Sequence, residues 1–388
     1  MRPDVSIVMP CLNEAESISF AILSAKQALA GLKKRNLTGE IVVVDNGSTD
    51  GSQDIARQAG CRAVHCPSRG YGNALIYGIN HARGRYIVMG DADASYDFTQ
   101  SVSMVEKLQE GYDLCMGSRY KGTILPGAMP WKNRFIGNPL LTKIVNLLFR
   151  SGMSDVYCGL RAFTREAYDR MKLNSSGMEF ASEMVVKASL LQLKRTEVPI
   201  TLSPDRRSHR SYLKPWRDGW CGLKLILRHS PLWLFFIPAL AMMSFSLLIF
   251  LVLLLTPAQH MFTLGALRLG DHWMILAGGI FIIGYQVFVL GIISALYHHS
   301  QQNHYSLMDK FVKYFTLENA LLLSALLIAC GILVLGYVGT KWIIAAFGPL
   351  FEYRMVVIGT IFLVVGVQTF FAGFLFSVLL DDLRNQPF

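Results

Sequence analysis

The second half of the chain contains four apolar runs that are each about long enough to cross a lipid bilayer. They cover approximately residues 233–256, 272–297, 319–340 and 355–380. An α-helix needs about 20 apolar residues to span the hydrocarbon core of a membrane. Four such runs in series are not typical of the buried helices of a water-soluble protein. The sequence therefore predicts a helical transmembrane domain over residues 231–388.

The distribution of charge separates this region from the rest of the chain. The whole sequence is 52% hydrophobic and 16% charged, with a formal net charge of +10. All of that net charge lies in residues 1–230, because the remainder holds equal numbers of acidic and basic side chains. A basic part joined to a neutral membrane region predicts an anionic partner, and lipid headgroups, phosphates and nucleic acid all qualify.

Residues 203–230 are predicted to form a basic juxtamembrane segment between the two parts. Its Lys and Arg residues are interleaved with Tyr212, Trp216 and Trp220. From Pro215 onward it is predicted to form an interfacial helix, with basic side chains among headgroups and tryptophans toward acyl chains. Lys and Arg beside a span mark its cytoplasmic end, so we expect residues 1–230 to be cytoplasmic. The position beside a span favours lipid phosphate over nucleic acid as the partner.

Residues 1–202 alternate between buried strands and helices. The predicted strands cover residues 5–10, 40–45, 61–66, 85–93, 113–119 and 194–202. Continuous apolar strands between helices predict an α/β domain with a mostly parallel sheet. In such sheets ligands bind beyond the carboxyl ends of the strands. Asp45, Asp91, Asp93 and Arg119 all lie at the carboxyl ends of predicted strands and are expected at that edge.

Asp91 and Asp93 stand on either side of one alanine at the end of the fourth predicted strand. Two carboxylates this close repel each other, and a divalent cation bridging them to phosphate oxygens would offset the repulsion. A D-x-D triplet alone is a weak signal, because it also fits a solvated turn in which Asp91 caps the next helix. A site for Mg²⁺ or Mn²⁺ with a diphosphate is predicted only in the context of further motifs.

Two further motifs supply that context. The sequence reads P-x-x-N-E at 10–14 after the first strand and V-D-x-G-S-x-D at 44–50 after the second. In this order and with the D-x-D triplet, the chain resembles the family 2 glycosyltransferases of GT-A fold over about residues 4–230. The segments 117–120 (GSRY), 132–138 (KNRFIGN) and 154–163 (SDVYCGLRAF), followed by membrane spans, resemble the polyprenyl-phosphate glycosyltransferases such as dolichol-phosphate mannose synthase.

The resemblance implies a Rossmann-like GT-A catalytic domain and a set of donor-binding residues. The 10–14 loop and the turn after the second strand would hold the base and ribose of a nucleotide sugar. Asp93 would be the firmest metal ligand, and Asp91 would lie near the nucleotide and the metal. The implied nucleotide-binding set is Pro10, Asn13, Glu14, Asp45, Gly47, Arg69 and Asp91. Asp45 has a simpler alternative role as a cap of the next helix.

The resemblance also implies an acceptor site. Arg119 and Arg134 would receive a lipid phosphate, and Arg161, Arg206 and Arg207 would contact phosphates. The implied catalytic set is Asp93, Arg119 and Asp155. A phosphate monoester, with a second pKa of about 6, is largely ionised at neutral pH, so Asp155 is expected to orient the site rather than take a proton.

Simpler interpretations of two of these residues stay open. Asp155 is also compatible with a structural ion pair to Arg119 or Arg161. Arg134 is also compatible with a solvated surface position.

Together these features predict a membrane-anchored inverting glycosyltransferase of the inner or plasma membrane. It would move a hexose from a UDP- or GDP-hexose to undecaprenyl or dolichyl phosphate at the cytoplasmic face. One alternative is a processive polysaccharide synthase, whose usual Q-x-x-R-W motif is absent from residues 211–220. Another is a non-catalytic nucleotide-binding scaffold or flippase for lipid-linked sugars. The sugar, the base and a homo-oligomeric state stay open.

Overall fold

The computed structural model describes residues 2–207, 212, 214–257, 260–264, 267–300, 314–349 and 352–384. The chain divides into two compact units, Met1–His229 and Ser230–Phe388. Residues 208–211 and 213 of the predicted juxtamembrane segment lie outside the described residues. The finer division into 1–202, 203–230 and 231–388 stays a prediction.

The first unit is built on a seven-stranded sheet of order β3-β2-β1-β4-β6-β5-β7. Its strands are β1 (Val5–Cys11), β2 (Gly39–Asp45), β3 (Arg62–His65), β4 (Tyr86–Met89), β5 (Leu114–Ile124), β6 (Arg161–Thr164) and β7 (Arg195–Leu202). Strand β6 is antiparallel to both β4 and β5, and the other pairings are parallel. The predicted α/β class with a mostly parallel sheet is confirmed.

Eight helices accompany the sheet in the described part of this unit. They are α1 (Ile18–Lys33), α2 (Ser52–Gln58), α3 (Tyr71–His81), α4 (Ser101–Gln109), α5 (Asn138–Phe149), α6 (Arg165–Met171), α7 (Phe180–Leu190) and α8 (Pro215–Arg228). Because successive strand residues point to opposite faces, β1 contributes to two cores. Ile7 and Met9 pack in the core that contains residues of α1 and α4, whereas Val8 packs in the core that contains residues of α3 and α7.

The second unit contains the four apolar helices that the sequence predicts. Its elements are α9 (Ile237–Leu255), the hairpin strands β8 (Phe262–Leu264) and β9 (Leu267–Leu269), α10 (Asp271–Ser300), α11 (Leu317–Ile344) and α12 (Tyr353–Arg384). The segments long and apolar enough to cross a membrane are Leu232–Leu255, Asp271–Tyr297, Leu317–Ile344 and Tyr353–Asp381.

One arginine ties together the ends of three helices in this unit. Arg354, at the start of α12, lies 2.8 Å from Asp271 at the start of α10 through Nε and Oδ1. It also donates to the carbonyl oxygens of Leu253 and Thr256 at the end of α9. The terminal carbonyls of a helix lack partners within the helix, so this guanidinium satisfies them at the bundle end.

Candidate active site

The loops that follow β1 and β2 are joined by hydrogen bonds. The backbone N–H of Asn13 donates to Ser48 Oγ at 3.0 Å, and Asn13 Oδ1 accepts from the Thr49 N–H at 2.9 Å. The Glu14 N–H donates to Ser52 Oγ at 2.8 Å. Asn13 has a φ of 55°, a left-handed conformation that Asn tolerates better than most residues. The predicted donor loops therefore form one surface at the carboxyl edge of the sheet, next to Pro10 at the end of β1.

Asp45 is buried at the end of β2 and organises the turn that follows. Its Oδ1 accepts from the Ser48 N–H at 2.9 Å, and its Oδ2 lies 3.0 Å from His65 Nδ1. Burial acts to raise the pKa of Asp45, but hydrogen bonds from Ser48, His65 and Gly47 outweigh it and lower the pKa. The residue before α2 is Gly51, which makes no side-chain cap, so Asp45 braces the turn rather than capping that helix.

Arg69 and Gly47 lie beside each other at this turn. A Cβ added to Gly47 would lie 3.7 Å from Arg69 Nε, and the φ of Gly47 is +97°. Arg69 is exposed and directly precedes Gly70 and α3. The structure thus brings Arg69 to the predicted nucleotide-binding loops.

Asp91 and Asp93 follow β4 at the same edge. Asp91 Oδ1 accepts from the Tyr71 hydroxyl at 2.8 Å, and Asp93 Oδ1 accepts from the Ser95 N–H at 3.0 Å and its hydroxyl at 2.6 Å. Burial and the neighbouring charge of Asp93 raise the pKa of Asp91 to about 6. The pair thus carries excess negative charge that a cation would stabilise.

Arg207 meets this excess charge from a distant part of the sequence. Its guanidinium contacts Asp93 Oδ2, and its Nε lies 3.1 Å from Glu14 Oε1. Burial acts to lower the pKa of Arg207, but Asp93 and Glu14 outweigh it and raise the pKa. Arg206 instead points outward, with its guanidinium 4.1 Å from the centre of the Phe20 ring. Of the two predicted phosphate contacts, only Arg207 reaches the carboxylate cluster.

The donor set at Asp91 and Asp93 fits a divalent cation. Mg²⁺ is held in many enzymes by one or two carboxylates, with substrate phosphates and water completing its shell. Across the part of the chain that the structure describes, no group of three or more His, Cys, Asp and Glu residues forms a metal site. A cation here would therefore take further oxygen ligands from a bound phosphate or from water.

Asp155 and Arg119 form a buried ion pair. Arg119 Nε and Nη2 donate to Asp155 Oδ2 and Oδ1 at 2.6 and 2.7 Å, and the Arg119 backbone N–H donates to Oδ2 at 3.1 Å. Asp155 is 0% exposed and Arg119 is 7% exposed. The fork geometry fixes the guanidinium plane. Of the alternatives that the sequence left open, the structure contains the pair with Arg119.

A cavity of about 360 Å³ lies beside this pair. It is lined by Arg119, Tyr120, Gly122, Ile124, Arg134, Phe135 and Pro139. Arg134 is half-buried rather than fully solvated, and its guanidinium lies 5.4 Å from the centre of the Phe135 ring. The Tyr120 hydroxyl donates to the Arg134 carbonyl at 2.9 Å, which ties the 131–137 segment to β5. Two arginines thus line a cavity whose other lining residues include Ile124, Phe135 and Pro139.

The placement of Arg161 disagrees with a phosphate contact. Arg161 is 0% exposed on the short strand β6. Its guanidinium donates to the carbonyl oxygens of Cys158, Ala181 and Val156 at 2.8, 2.6 and 2.9 Å. A side chain enclosed and bonded in this way is not accessible to a ligand. Arg161 therefore supports the 156–158 turn, and the expectation that it contacts a phosphate is corrected.

Sequence reasoning missed Tyr71, which holds Asp91. The available signal was the R-G-Y-G run at 69–72, because paired glycines mark a close approach of two backbone segments. A Cβ at Gly70 or Gly72 would collide with the carbonyl oxygens of Ser176 and Ser175. These glycines let the start of α3 pack against residues 175–176, and Tyr71 between them reaches Asp91 with its hydroxyl.

The first unit and the membrane region both match models of one family. The model for glycosyl transferase family 2 matches residues 6–172, and the model for the glycosyltransferase family 2 C-terminal transmembrane region matches residues 292–380. The chain is 35% identical over 384 residues to the low-salt glycan biosynthesis hexosyltransferase Agl6 of Haloferax volcanii, covering 98% of this chain and 90% of that protein.

Two further comparisons cover a little over half of the chain. The chain is 27% identical to a dolichyl-phosphate hexose transferase of Haloferax volcanii over 56% of this chain and 89% of the relative. It is also similar to the crystal structure of glucosyl-3-phosphoglycerate synthase from Mycobacterium tuberculosis with Mn²⁺ and UDP. That match has a TM-score of 0.46 and 21% identity, and it covers 59% of this chain and 80% of the other.

These findings define a membrane-bound sugar transferase. The chain belongs to glycosyl transferase family 2, and it is an integral membrane glycosyltransferase.

Proposed function

We propose that the protein is an inverting hexosyltransferase that uses a UDP- or GDP-hexose as donor and polyprenyl phosphate as acceptor. The product would be an undecaprenyl or dolichyl monophosphate sugar. The observation that carries this proposal is the cavity beside the Arg119–Asp155 pair, because two arginines and several apolar residues line it together. A phosphate on an apolar chain is complementary to this lining, because its charge would meet the arginines and its chain would contact the apolar residues. One relative is a dolichyl-phosphate hexose transferase, which supports the same acceptor class.

The surface around the cavity supports an acceptor that lies in a membrane. Trp131 and Phe135 are 62% and 68% exposed, and Ile136, Leu140 and Leu147 are also largely exposed. A contiguous apolar surface on a globular unit is typical of a contact with lipid or protein. An isoprenoid chain would pass along such a surface while its phosphate meets Arg119 and Arg134.

The donor is proposed to bind on the loops at the ends of β1, β2 and β4. Asn13, Glu14 and Asp45 would contact the base and ribose. The nearby Pro10, Gly47 and Arg69 would complete the nucleotide site. Asp91 and Asp93 would face the diphosphate, and Arg207 adds a positive charge beside them. Its exposed neighbour Arg206 would meet phosphates of the ligand or of the membrane surface.

Asp91 and Asp93 are proposed to hold Mg²⁺ or Mn²⁺. When bound, the ion would stabilise the negative charge that develops on the departing nucleotide diphosphate. The contact between the Arg207 guanidinium and Asp93 supports the proposal that positive charge is favoured at this cluster.

In the proposed reaction an acceptor phosphate oxygen attacks the anomeric carbon. The bond from that carbon to the donor phosphate breaks, and the nucleotide diphosphate leaves with the bonding electrons. The acceptor is already ionised at neutral pH, so no group has to take its proton. Asp155, with both oxygens engaged by Arg119, would instead aim that guanidinium at the acceptor phosphate.

We infer a cytoplasmic position for the catalytic unit. Helix α8 carries Trp216 and Trp220, which are 93% and 58% exposed, together with Lys and Arg residues. Exposed tryptophans beside basic side chains are typical of an interfacial helix on an anionic leaflet. We keep residues 1–202, 203–230 and 231–388 as the proposed catalytic, interfacial and membrane segments.

The test is transfer of radiolabelled sugar by the purified full-length protein. The assay contains Mg²⁺ or Mn²⁺, undecaprenyl or dolichyl phosphate, and a panel of UDP- and GDP-sugars. Label from one donor should enter the organic phase and be lost in Asp93→Ala. The matched control is Asp97→Asn, because Asp97 is exposed and accepts from the Thr99 N–H outside the proposed site.

Each other outcome identifies a different activity. Label that enters a polymer would favour the processive polysaccharide synthase. Nucleotide binding without transfer to any lipid phosphate would contradict the proposal and favour the scaffold or flippase.

A further inference from the structure

Glu197 is a buried carboxylate outside the predicted site. It lies on β7 with its side chain 2% exposed. Its Oε1 accepts from the Ser154 N–H at 2.7 Å and from the Asp155 N–H at 3.2 Å. Buried backbone N–H groups need partners, and here one carboxylate oxygen serves two of them. Glu197 therefore fixes the backbone of the turn that carries Asp155.

The same carboxylate belongs to a ring of contacts that includes β5. Lys121 Nζ lies 2.8 Å from Glu197 Oε2, and the Lys121 N–H donates to Ser118 Oγ at 3.1 Å. The hydroxyl oxygens of Ser118 and Ser154 lie 2.6 Å apart. This ring joins β5, β7 and the 154–155 turn on both sides of Arg119.

The strand that carries Arg119 needs such support. The register of β5 against β7 is irregular between Ser118 and Thr123, next to Arg119. Regular ladder pairing therefore does not by itself fix the backbone there. A small shift of the 154–155 turn would carry the Asp155 carboxylate with it, and so would turn the Arg119 guanidinium that lines the cavity.

We propose that Glu197 is a positioning residue of the acceptor site. It holds the Ser154–Asp155 turn so that Asp155 keeps Arg119 aimed into the cavity. This inference rests on the proposed function only in taking the ligand of Arg119 to be the acceptor phosphate. Glu197 itself touches neither substrate, and its action passes through Asp155.

Glu183 offers a matched control with the same local chemistry. Its carboxylate accepts from the Asn174 N–H at 3.2 Å and the Ser175 N–H at 2.9 Å, and it lies 2.8 Å from Lys187 Nζ. It is also buried on the first unit, at 1% exposure. None of these four residues lines the cavity beside Arg119. Loss of this carboxylate therefore frees two N–H groups without touching the proposed acceptor site.

The experiment compares full-length Glu197→Ala, Glu197→Gln and Glu183→Ala in lipid nanodiscs. KM and kcat are measured separately for sugar donor and polyprenyl phosphate, and hydrogen exchange is followed on the peptide covering 150–160. We expect Glu197→Ala to lower kcat/KM for the acceptor roughly 10- to 100-fold, since a misplacement of about 1 Å can cost that much. Its donor KM should stay unchanged. Amide exchange at 154–155 should accelerate.

Glu197→Gln should restore most of the acceptor kcat/KM, because its amide oxygen still accepts from both N–H groups. Glu183→Ala should leave the acceptor KM unchanged, although it should lose about as much thermal stability as Glu197→Ala. Wild-type acceptor kinetics in Glu197→Ala would overturn the inference, and so would equal losses in the Ala and Gln variants. If the wild type does not use polyprenyl phosphate as acceptor, the proposed function fails. The role of Glu197 is then tested by the hydrogen-exchange measurement alone. Unchanged protection at 154–155 in Glu197→Ala then overturns the role of Glu197.

Discussion

Two carboxylate clusters in the first unit differ in what balances their charge. Asp91 and Asp93 stand next to each other, and the pKa of Asp91 is raised to about 6 by burial and by Asp93. Asp155 is fully buried, yet both of its oxygens accept from Arg119. The first cluster retains negative charge that suits an arriving cation, whereas the second has its charge matched within the fold.

This difference predicts that the first cluster binds a ligand, whereas Asp155 orients the Arg119 guanidinium. Arg207 offsets only part of the negative charge of Glu14, Asp91 and Asp93, and a buried carboxylate pair whose charge is incompletely balanced is typical of a ligand site. A buried bidentate ion pair adds little stability as a whole, but removing one partner leaves an uncompensated charge. We therefore expect substitutions at the first cluster to affect transfer more than folding. Substitutions at the second should affect both.

The largest expected effect is the loss of Asp155. Asp155→Ala leaves the buried guanidinium of Arg119 unpaired, which should lower the free energy of unfolding by about 3–5 kcal/mol. The measurement is denaturant unfolding of the detergent-solubilised protein beside the transfer assay. Asp155→Ala combined with Arg119→Met should recover part of the loss. If Asp155→Ala alone is as stable as the wild type, the expected difference in stability between the two clusters is wrong.

The next effect is at Asp93. Asp93→Asn keeps an oxygen for the Ser95 N–H but removes the charge, so transfer should fall roughly 10²- to 10³-fold, as when one electrostatic contact to the transition state is lost. Chelation of divalent ions should give a comparable loss in the wild type and little further loss in the variant. The melting temperature should change little, because relief of the repulsion with Asp91 offsets the weakened contact with Arg207, which keeps Glu14 as a partner. A large drop in that temperature would assign Asp93 to structure.

Arg161 tests whether a buried arginine outside both clusters affects stability alone. Arg161→Met removes donors from three buried carbonyl oxygens, which should destabilise the fold by roughly 2–3 kcal/mol. The acceptor KM of the folded fraction should match that of the wild type. A raised acceptor KM in protein shown to be folded by circular dichroism would restore the phosphate role originally expected from the sequence.

The smallest effect is expected at Arg134, which lines the cavity and is 5.4 Å from the centre of the Phe135 ring. Arg134→Met keeps apolar contact with Phe135 but removes one charge-assisted phosphate contact, so the acceptor KM should rise roughly 10-fold, equivalent to about 1.4 kcal/mol. The donor KM and the melting temperature should stay the same. Arg150→Met is the control, because Arg150 is exposed and does not line the cavity. An unchanged acceptor KM in Arg134→Met would leave Arg119 as the sole phosphate contact proposed in the cavity.

Hydrophobic patterning was enough to predict most of the sheet and helices. The strand predicted over 40–45 lies within β2, and the span predicted over 319–340 lies within α11. Strand β6 was not predicted, because four residues that pair antiparallel with β4 and β5 carry no periodic signal of their own. Missing β6 also meant missing that Arg161 lies in the interior, since its burial follows from that non-local pairing.

The candidate site was predictable in its residue types but not in its pairings. The carboxyl edge of a parallel sheet indicates where Asp45, Asp91 and Asp93 lie. Arg119 and Asp155 are 36 residues apart, and nothing in their spacing distinguishes a bidentate pair from two separate ligand contacts. Glu197 lies within a strand that reads as an ordinary alternating segment, so its two hydrogen bonds to the 154–155 turn are visible only in three dimensions.

The exposed apolar side chains of the first unit bear on how the enzyme behaves when it is handled. Trp131, Phe135, Ile136, Leu140 and Leu147 belong to Met1–His229, not to the apolar helices that follow. Exposed apolar surfaces of this kind promote self-association of a protein in water. Cutting the chain after residue 229 would therefore not yield a freely soluble enzyme. The truncated protein should sediment with liposomes and require detergent to remain dispersed, so crystallisation of the isolated unit would depend on an amphiphile.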